Sequence, residues 1–253
     1  MKAKPVTLID DFEQYFEVKL VTNEDLARKA YSVRYRVYCE EFNYEATDLF
    51  PKKMETDEFD KQSLHCLIIH KTTDRVAGCV RLVPVNLNFE NGLLPLEKFC
   101  DESLDKDLID SFHIDRSTVC EISRLAVDGA FRRRPGEAAT RFGDINSIDC
   151  SKEEQRTFSL IALSAFLAGG ALTYITHKTN VFAMMEPFLP RMLKRTGIEF
   201  ERVGSDMDYH GIRAPYFVTP QSVMDNLQPD IKEMYDWVYE QIEADYLKQY
   251  KEK

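Results

Sequence analysis

The sequence predicts an α/β (α+β) fold built on a central mixed β-sheet that is flanked by helices. Short apolar runs typical of strands alternate with stretches of helical spacing, after an opening helix and hairpin. No repeat, low-complexity tract or Pro/Gly-rich linker interrupts this pattern. We therefore predict one domain over residues 1–253, in which residues 221–253 form a C-terminal helical extension.

The first half of the chain contains one predicted helix and three predicted strands. The helix runs from Asn23, a residue type that caps helix N-termini, to about Glu41. Turn residues at 72–74 join the first two strands into a hairpin. The three strands are His65–His70, Val76–Pro84 and Val119–Val127.

Helices and strands alternate in the second half. A capping box, Ser151 with Glu154 three residues later, predicts a helix that ends at Gly169 and Gly170. The long C-terminal helix is expected to dock on the body through Trp237 and its tyrosines. The remaining predictions are a strand at Ala171–Thr176, a helix from Phe182 to a C-cap at Gly197, strands within 198–204 and 214–219, and the final helix from Gln221.

The composition is that of a globular protein and argues against several function classes. Hydrophobic residues make up 44% and charged residues 30% of the chain, which is enough apolar material for a core. No apolar run approaches the roughly 18 residues of a membrane helix, and the N-terminus lacks a signal peptide, so a cytoplasmic location is predicted. The net charge of -10 argues against nucleic acid as a partner.

Cysteine and histidine spacing gives no indication of a metal site. The six cysteines include no C-x-x-C pair, so neither a zinc site nor a redox dithiol is predicted. The histidines also lack ligand spacing. We expect buried free thiols and no bound metal.

Charged residues interrupt two predicted strands whose other residues are typical of a core. An ionised side chain in a buried strand costs several kcal/mol unless it is paired, so Arg81, Glu121 and Arg124 form an ion-pair network or line an open cleft. Two acids just before the hairpin, Asp57 and Asp60, favour the cleft. Strand alternation places Glu121, Ser123 and Leu125 on one face and Ile122, Arg124 and Ala126 on the other.

Four short motifs follow one another between Arg34 and Val127. They are Arg34 and Tyr38 in RYRVYCEEFNY, then Glu55, Asp57 and Asp60 in ETDEFD, then Arg81 in GCVR, then EISR from Glu121 to Arg124. This order resembles the acyl-homoserine lactone synthases, a branch of the GNAT acyltransferase superfamily. The resemblance implies a GNAT fold with a splayed sheet, in which these residues surround the acceptor site.

Three positions depart from that family. Tyr44 and Val80 stand where those synthases have tryptophans, and Leu125 stands where they have phenylalanine. These departures argue against a pocket for S-adenosylmethionine.

The second half of the chain carries a different resemblance. The stretches are SRLAVDGAFRRR, MEPFLPRMLKRTGIEF and VGSDMDYHGIRAPYF. They are similar to the PEP-CTERM/exosortase-associated acyltransferases and to the N-acyl amino acid synthases. This similarity implies an acyl carrier protein as the donor, an amino acid as the acceptor, and Arg213 in the acyl or acceptor pocket.

The resemblance also implies roles for the residues of the strand and the motifs. Glu121 would accept the amine proton directly or through water. Arg124 would orient Glu121 or one acid of the D-x-x-D pair, which consists of Asp57 and Asp60. Arg34 and Arg81 would hold the acidic wall or grip the acceptor carboxylate. The predicted catalytic residues are Glu121, Ser123 and Arg124. The predicted substrate-binding residues are Arg34, Tyr38, Tyr44, Asp57, Asp60, Arg81 and Arg213.

The segment after the predicted strand Val119–Val127 indicates contact with a phosphorylated acyl donor. Arg133 to Ala138, RRPGEA, fits the phosphate-binding spacing [QR]-x-x-G-x-[GA] of GNAT enzymes. No tightly bound cofactor is predicted; acyl-phosphopantetheine on acyl carrier protein, or acyl-CoA, would be the co-substrate. The residues predicted to bind the phosphopantetheine arm of the donor or its carrier protein are Leu125, Val127, Arg132, Arg133, Arg134 and Gly136.

Taken together, these patterns predict an N-acyltransferase that moves a long-chain fatty acyl group from acyl carrier protein to the α-amino group of an amino acid. Three alternatives stay open at this point. One is an autoinducer synthase that makes acyl-homoserine lactone from S-adenosylmethionine, and another is a CoA-dependent N-acetyltransferase for a small amine. The third is a non-catalytic module that binds acyl carrier protein or lipid.

Overall fold

A computed structural model describes residues 8–86, 92–132 and 157–250 of the protein. The predicted capping box at Ser151 and the loop residues Arg133, Arg134 and Gly136 lie outside these ranges. The strands are β1 (Phe16–Leu20), β2 (Leu64–His70), β3 (Arg75–Pro84), β4 (Val119–Val127), β5 (Asn180–Met185), β6 (Glu201–Arg202), β7 (Met207–Asp208) and β8 (Ile212–Val218). The helices are α1 (Leu8–Tyr15), α2 (Glu24–Arg34), α3 (Pro95–Phe99), α4 (Lys106–Ser111), α5 (Ser159–Ile175), α6 (Phe188–Leu193), α7 (Pro220–Asn226) and α8 (Pro229–Tyr250).

These strands form one mixed sheet in the order β1-β2-β3-β4-β5-β8-β6, with β7 paired to β8. Only β4 and β5 are parallel, and their pairing runs from Val119 with Asn180 to Glu121 with Phe182. Both strands continue past these pairs, β4 to Val127 and β5 to Met185. The sheet is therefore splayed between β4 and β5. The predicted mixed sheet with flanking helices is confirmed.

The main core lies between one face of the sheet and helices α5 and α8. Phe12, Ile161 and Met234 are fully buried in it. Trp237 of α8 packs edge-on against Phe12 with ring centroids 5.9 Å apart, so the C-terminal docking predicted for Trp237 is confirmed. In the part of the chain that the structure describes, no helix is long and apolar enough to cross a membrane.

The elements of the first half agree with their sequence patterns. Asn23 caps α2, because its side-chain oxygen accepts a hydrogen bond from the N–H of Leu26. The helix continues as a π-helix over Tyr35–Glu41, which places its end at the predicted residue. The hairpin of β2 and β3 and the strand β4 are also confirmed.

Two predictions on the second half were wrong at the paired glycines. Helix α5 does not end at Gly169 and Gly170, and the predicted strand at Ala171–Thr176 forms its last turns. The glycines serve close packing: a Cβ on Gly169 would lie 3.3 Å from Cγ2 of Ile122 on β4. Gly169 therefore lets α5 approach the sheet and Gly170 faces Tyr235 of α8, whereas the sequence pattern had indicated a helix end.

Three further boundaries differ from prediction. Phe182 belongs to β5, and the helix assigned to it begins only at Phe188, directly after Pro187. The strand predicted within 198–204 is confined to β6. The C-terminal helix is divided into α7 and α8, since Pro229 starts a new helix. The C-cap predicted at Gly197 is confirmed by its φ of +92°.

Candidate active site

A β-bulge in the middle of β4 sets the direction of its charged side chains. Cys79 of β3 pairs with Ala126 and Arg81 pairs with Ser123, so β4 has two residues between these pairs where β3 has one. Arg124, inside the bulge, has a φ of +51°, which is uncommon for arginine. The bulge turns Arg124 to the face that Ser123 occupies. The prediction that Arg124 lies on the opposite face was wrong, because alternation fails across an inserted residue.

Arg34 and Arg81 are fully buried on this face, where α2 covers the sheet, and both pair with acids. Arg34 donates from Nη1 to Oδ1 of Asp60 at 2.6 Å and from Nε to Glu55. Arg81 donates from Nη1 to Oδ1 of Asp57 at 2.6 Å and to Oδ1 of Asp60 at 2.8 Å. These arginines were predicted either to hold the acidic side chains of the site or to bind the acceptor carboxylate. Their contacts correspond to the first role.

The predicted catalytic residue Ser123 touches this network through Arg81. Its Oγ accepts a hydrogen bond from Nε of Arg81 at 3.1 Å. Arg81 already pairs with two carboxylates through Nη1, and Ser123 adds an acceptor for its Nε. This contact gives Ser123 a positioning role in the structure.

Charge neutralisation keeps the buried carboxylates of the network ionised. Burial opposes the ionisation of Asp60 and Glu55, but the neighbouring arginines together outweigh it and lower the pKa of both groups. Arg34 acts on both carboxylates, with Arg81 at Asp60 and Arg124 at Glu55. His65, whose Nε2 lies 3.6 Å from Oδ1 of Asp60, stays neutral because burial and then Arg34 lower its pKa to about 3. Three guanidinium groups thus face three carboxylates, and the network carries no net charge.

Arg124 is the arginine of this network that reaches solvent. Its side chain is 18% exposed, against 1% or less for the other two arginines. Its Nη2 lies 3.2 Å from Oε1 of Glu55 and 3.1 Å from Oδ2 of Asp57. The guanidinium also stacks over the ring of Tyr38, 5.6 Å from its centroid. Arg124 was predicted to orient either Glu121 or an acid of the D-x-x-D pair. It contacts Asp57, an acid of that pair.

Glu121 lies apart from the ion network, at the last residue of β4 that pairs with β5. It is 3% exposed, and its Oε2 accepts the backbone N–H of Leu96 at 2.8 Å. Burial raises the pKa of Glu121 to about 7, although the Leu96 hydrogen bond and the charge of Arg81 favour the ionised form. A carboxyl group with this pKa can accept and release a proton near neutral pH.

A second group of side chains, the rim, lies where the loop that contains Tyr44 meets the turn between β7 and β8. The guanidinium of Arg213 lies 5.4 Å from the ring centroid of Tyr44, and the ring of His210 lies 5.3 Å from it. Nε2 of His210 is 3.5 Å from Oε1 of Glu45. Burial lowers the pKa of His210 despite this carboxylate.

Arg213 differs from the network arginines because no carboxylate among the described residues pairs with it. Its buried Nε has no hydrogen-bond partner among those residues, as is also true of Nη2 of Arg34 and of Arg81. Burial raises the pKa of Tyr38 to about 12. The ring of Tyr38 lies under the guanidinium of Arg124 and 6.1 Å from the ring of Tyr44, which Arg213 covers, so the two rings connect the two arginines. The ring of Tyr209 lies 4.6 Å from that of His210 and belongs to the same group. The site therefore combines a cation with unused donor capacity and a carboxyl group poised near neutrality.

An apolar cavity of about 70 Å³ lies on the opposite face of the sheet, between the sheet and α5. Ile122 and Ala183, the first residues of β4 and β5 beyond their last shared pair, both line it. Its other walls are mainly apolar side chains of α5, α7, α8, β5 and β8, and of the segment before β6. The cavity thus adjoins the sheet at the gap where β4 and β5 separate, one residue beyond Glu121.

A search of family models matches residues 33–141 to a family described as acetyltransferase (GNAT) domain. This part of the chain is therefore similar to a GNAT acetyltransferase domain. The matched range includes Glu121, Arg124 and the whole buried ion network. A comparison of the amino-acid sequence with curated proteins gives no match.

Solved structures share the GNAT fold along most of this chain. TofI, in a ternary complex with an inhibitor and MTA, is 18% identical over 86% of this chain and 99% of its own, with a TM-score of 0.57. BjaI, a CoA-dependent acyl-homoserine lactone synthase solved with SAM and isopentyl-CoA, is 16% identical over 88% of this chain and 89% of its own, with a TM-score of 0.55.

A third similar structure comes from a different class of synthase. FeeM, an N-acyl amino acid synthase from uncultured soil microbes, is 11% identical over 84% of this chain and 94% of its own, with a TM-score of 0.53. The fold predicted from the resemblance to both kinds of synthase is confirmed. At these identities the comparisons show the GNAT fold alone.

The residues assigned to the donor arm are only partly described. Val127 packs in the main core, and the carbonyl of Leu125 accepts the hydroxyl of Tyr38 at 2.9 Å. Arg132 pairs with Glu41 and lies over the ring of Phe42, 4.8 Å from its centroid. Arg133, Arg134 and Gly136 lie outside the described residues, so carrier binding by this loop of the GNAT domain stays a prediction.

Two contributors to the site were missed by sequence reasoning. Glu45 lies in a polar loop, and no local pattern connects it with His210, which is distant in sequence. The backbone N–H of Leu96 escaped notice because sequence motifs report side chains. Pro95 carries a usable signal, since proline favours the first turn of a helix, and α3 begins there.

Proposed function

We propose that this GNAT-type acyltransferase moves a long-chain acyl group from the thioester of an acyl carrier protein to the α-amino group of an amino acid. The observation that carries the proposal is Glu121, a buried carboxyl group with a pKa of about 7 where β4 and β5 separate. Such a group is suited to take a proton from an ammonium or attacking amine near neutral pH. The separation of β4 from β5 begins at this residue, and a thioester held there would lie next to the carboxyl group.

The reaction forms a C–N bond and breaks a C–S bond. Glu121 accepts a proton from the amine, whose nitrogen attacks the thioester carbonyl, and the pantetheine sulfur leaves as a thiol after protonation. Beyond Glu121, β4 has separated from β5, so a backbone N–H on that edge can stabilise the developing oxyanion. Such a donor contributes about 3 to 4 kcal/mol in enzymes where it has been removed. Alignment of amine and thioester supplies much of the remaining rate enhancement.

Arg213 favours an acceptor that carries a carboxylate. Its guanidinium lies at the rim over Tyr44 and has a buried Nε without a partner among the described residues. The buried network is already neutral, so an incoming carboxylate would pair with Arg213 and with the exposed side of Arg124. An amino acid supplies this carboxylate next to its α-amino group.

The apolar cavity favours an acyl chain with methylene groups to bury over an acetyl group. An acyl chain that enters through the gap passes between Ile122 and Ala183 and buries its methylene groups among apolar side chains. The thioester then remains beside Glu121. An acyl carrier protein as the donor, a cytoplasmic location and a link with PEP-CTERM systems remain predictions from the sequence resemblance.

One assay tests the proposal. The protein is incubated with long-chain acyl carrier protein or acyl-CoA and with amino-acid pools or S-adenosylmethionine, while free thiol and product masses are followed. We expect an N-acyl amino acid and an equal amount of thiol. Thiol release only with S-adenosylmethionine, or no release with any pair, would contradict the proposal.

A second candidate is the synthesis of acyl-homoserine lactone from S-adenosylmethionine. The fold shared with BjaI, solved with SAM and isopentyl-CoA, favours it. Against it, Tyr44 occupies the rim position where tryptophan is expected, and Val80 is a core residue that is 1% exposed. A lactone product in the same assay would identify this function.

A further inference from the structure

The C-terminal helices supply part of the wall of the apolar cavity. Pro220, Val223 and Met224 of α7 line it, together with Tyr235 of α8. Ile122 and Ala183 line it at the gap in the sheet. A chain that enters at the gap therefore extends toward the side chains of α7 and α8.

Tyr235 is held firmly in this wall. Its side chain is buried, and its Cε2 lies 3.6 Å from the position that a Cβ on Gly170 of α5 would take. On its other side Tyr235 stacks with Tyr239 at 6.2 Å between centroids, and Tyr239 meets Tyr174 edge-on at 5.7 Å. A ring packed on both sides cannot move aside without loss of contacts.

We propose that Tyr235 forms the end of the acyl site and sets the length of the acyl chain that the enzyme accepts. This inference rests on the proposed function and gives the C-terminal extension a role in donor selection. Each methylene buried in the cavity raises affinity by about fourfold. A methylene that meets the Tyr235 ring gains nothing, because entry would require displacement of a packed side chain.

Two substitutions should shift the preferred chain length in opposite directions. Tyr235→Leu shortens the side chain at the end of the cavity, so longer thioesters should gain about tenfold in relative affinity. Gly170→Ala adds a methyl group to the cavity wall at ordinary contact distance from Tyr235, so the optimum should move to shorter chains. Alanine also favours the helix over glycine, so this variant tests the proposal if Tyr235→Leu folds poorly.

The experiment uses the full chain and saturated acyl thioesters of graded length. Binding is measured by displacement of a fluorescent fatty acid without an acceptor, and transfer is measured separately with an amino-acid pool. Tyr246→Leu is the matched control, since Tyr246 lies on the same helix, stacks with Tyr250 and is not part of the cavity wall. Melting temperatures of all variants report on folding.

Opposite shifts in the two variants, with an unchanged optimum in Tyr246→Leu, would support the inference. Graded binding that keeps the wild-type optimum in both variants would overturn it, whether or not acyl transfer occurs. Shifted binding optima without transfer to any acceptor would support Tyr235 as the end of the acyl site and contradict the proposed function. Wild-type binding that does not depend on chain length would overturn the inference while transfer could still be observed.

Discussion

Two groups of charges on the same face of the sheet differ in how they are neutralised. In the network under α2, Arg34 and Arg81 are sealed from solvent and share acids that hold them in place. Glu121 is equally buried, yet its direct partner is a backbone N–H, and Arg213 at the rim has no carboxylate partner among the described residues. We therefore expect the neutral network to stabilise the fold and the groups without an opposite charge to be available to substrates.

The largest expected effect lies in the network. Arg81→Met removes one cation and leaves Asp57 and Asp60 with an uncompensated buried charge. The free energy of unfolding should therefore fall by about 3 to 5 kcal/mol. Denaturant unfolding measures this loss. Lys98→Met, which removes a surface partner of Glu58, is the control and should change stability by less than about 1 kcal/mol. A similar small change for Arg81→Met would mean that the network does not stabilise the fold.

Glu121 should behave in the opposite way. Its pKa is raised from 4.5 to about 7 on folding, so the folded state binds the extra proton between these values and loses stability as pH rises through them. Glu121→Gln removes this penalty and should stabilise the protein by about 3 kcal/mol at pH 8, with little effect near pH 4.

Denaturant unfolding at both pH values checks this difference. Glu17→Gln is the control, because Glu17 is partly exposed beside Lys19 and its replacement should matter by less than about 0.5 kcal/mol. A stability gain of Glu121→Gln that is the same at pH 4 and pH 8 would show that Glu121 is not strained by ionisation.

Arg213→Met should weaken binding of the acceptor amino acid more than it lowers the stability of the fold. Loss of a charged hydrogen bond to a carboxylate costs about 1.5 to 3 kcal/mol, which raises KM for the amino acid by about 10-fold to 100-fold. Steady-state kinetics with the acceptor varied gives this value. Arg202→Met, at a surface pair with Asp206, should leave KM unchanged. An unchanged KM in Arg213→Met would remove Arg213 from the acceptor site.

The smallest effect is expected at the rim pair of Glu45 and His210. Both side chains are partly exposed, and burial lowers the pKa of His210, so His210 is mostly neutral at pH 7 and forms no strong ion pair with Glu45. Glu45→Gln should therefore change stability by less than about 1 kcal/mol in thermal or denaturant unfolding. A larger loss would show that the rim belongs with the stabilising network.

The sequence predicted those parts of the fold that depend on local patterns. Asn23 signals the start of α2, and charged residues among apolar ones marked β3 and β4 as the strands of the site. The bulge at Arg124 could not be predicted, since it depends on the register between two strands. The same holds for Gly169, whose role appears only when α5 packs on Ile122. Long-range geometry also decides which acids neutralise which arginines.

The pH dependence of acyl transfer tests the central claim most directly. For the wild-type protein, kcat/KM with saturating donor should rise through an inflection near pH 7, where Glu121 loses its proton and becomes a base. In Glu121→Gln this inflection should vanish and kcat/KM at pH 8 should fall by about 10² to 10⁴. An unchanged inflection in Glu121→Gln, with activity near that of the wild type, would contradict the account.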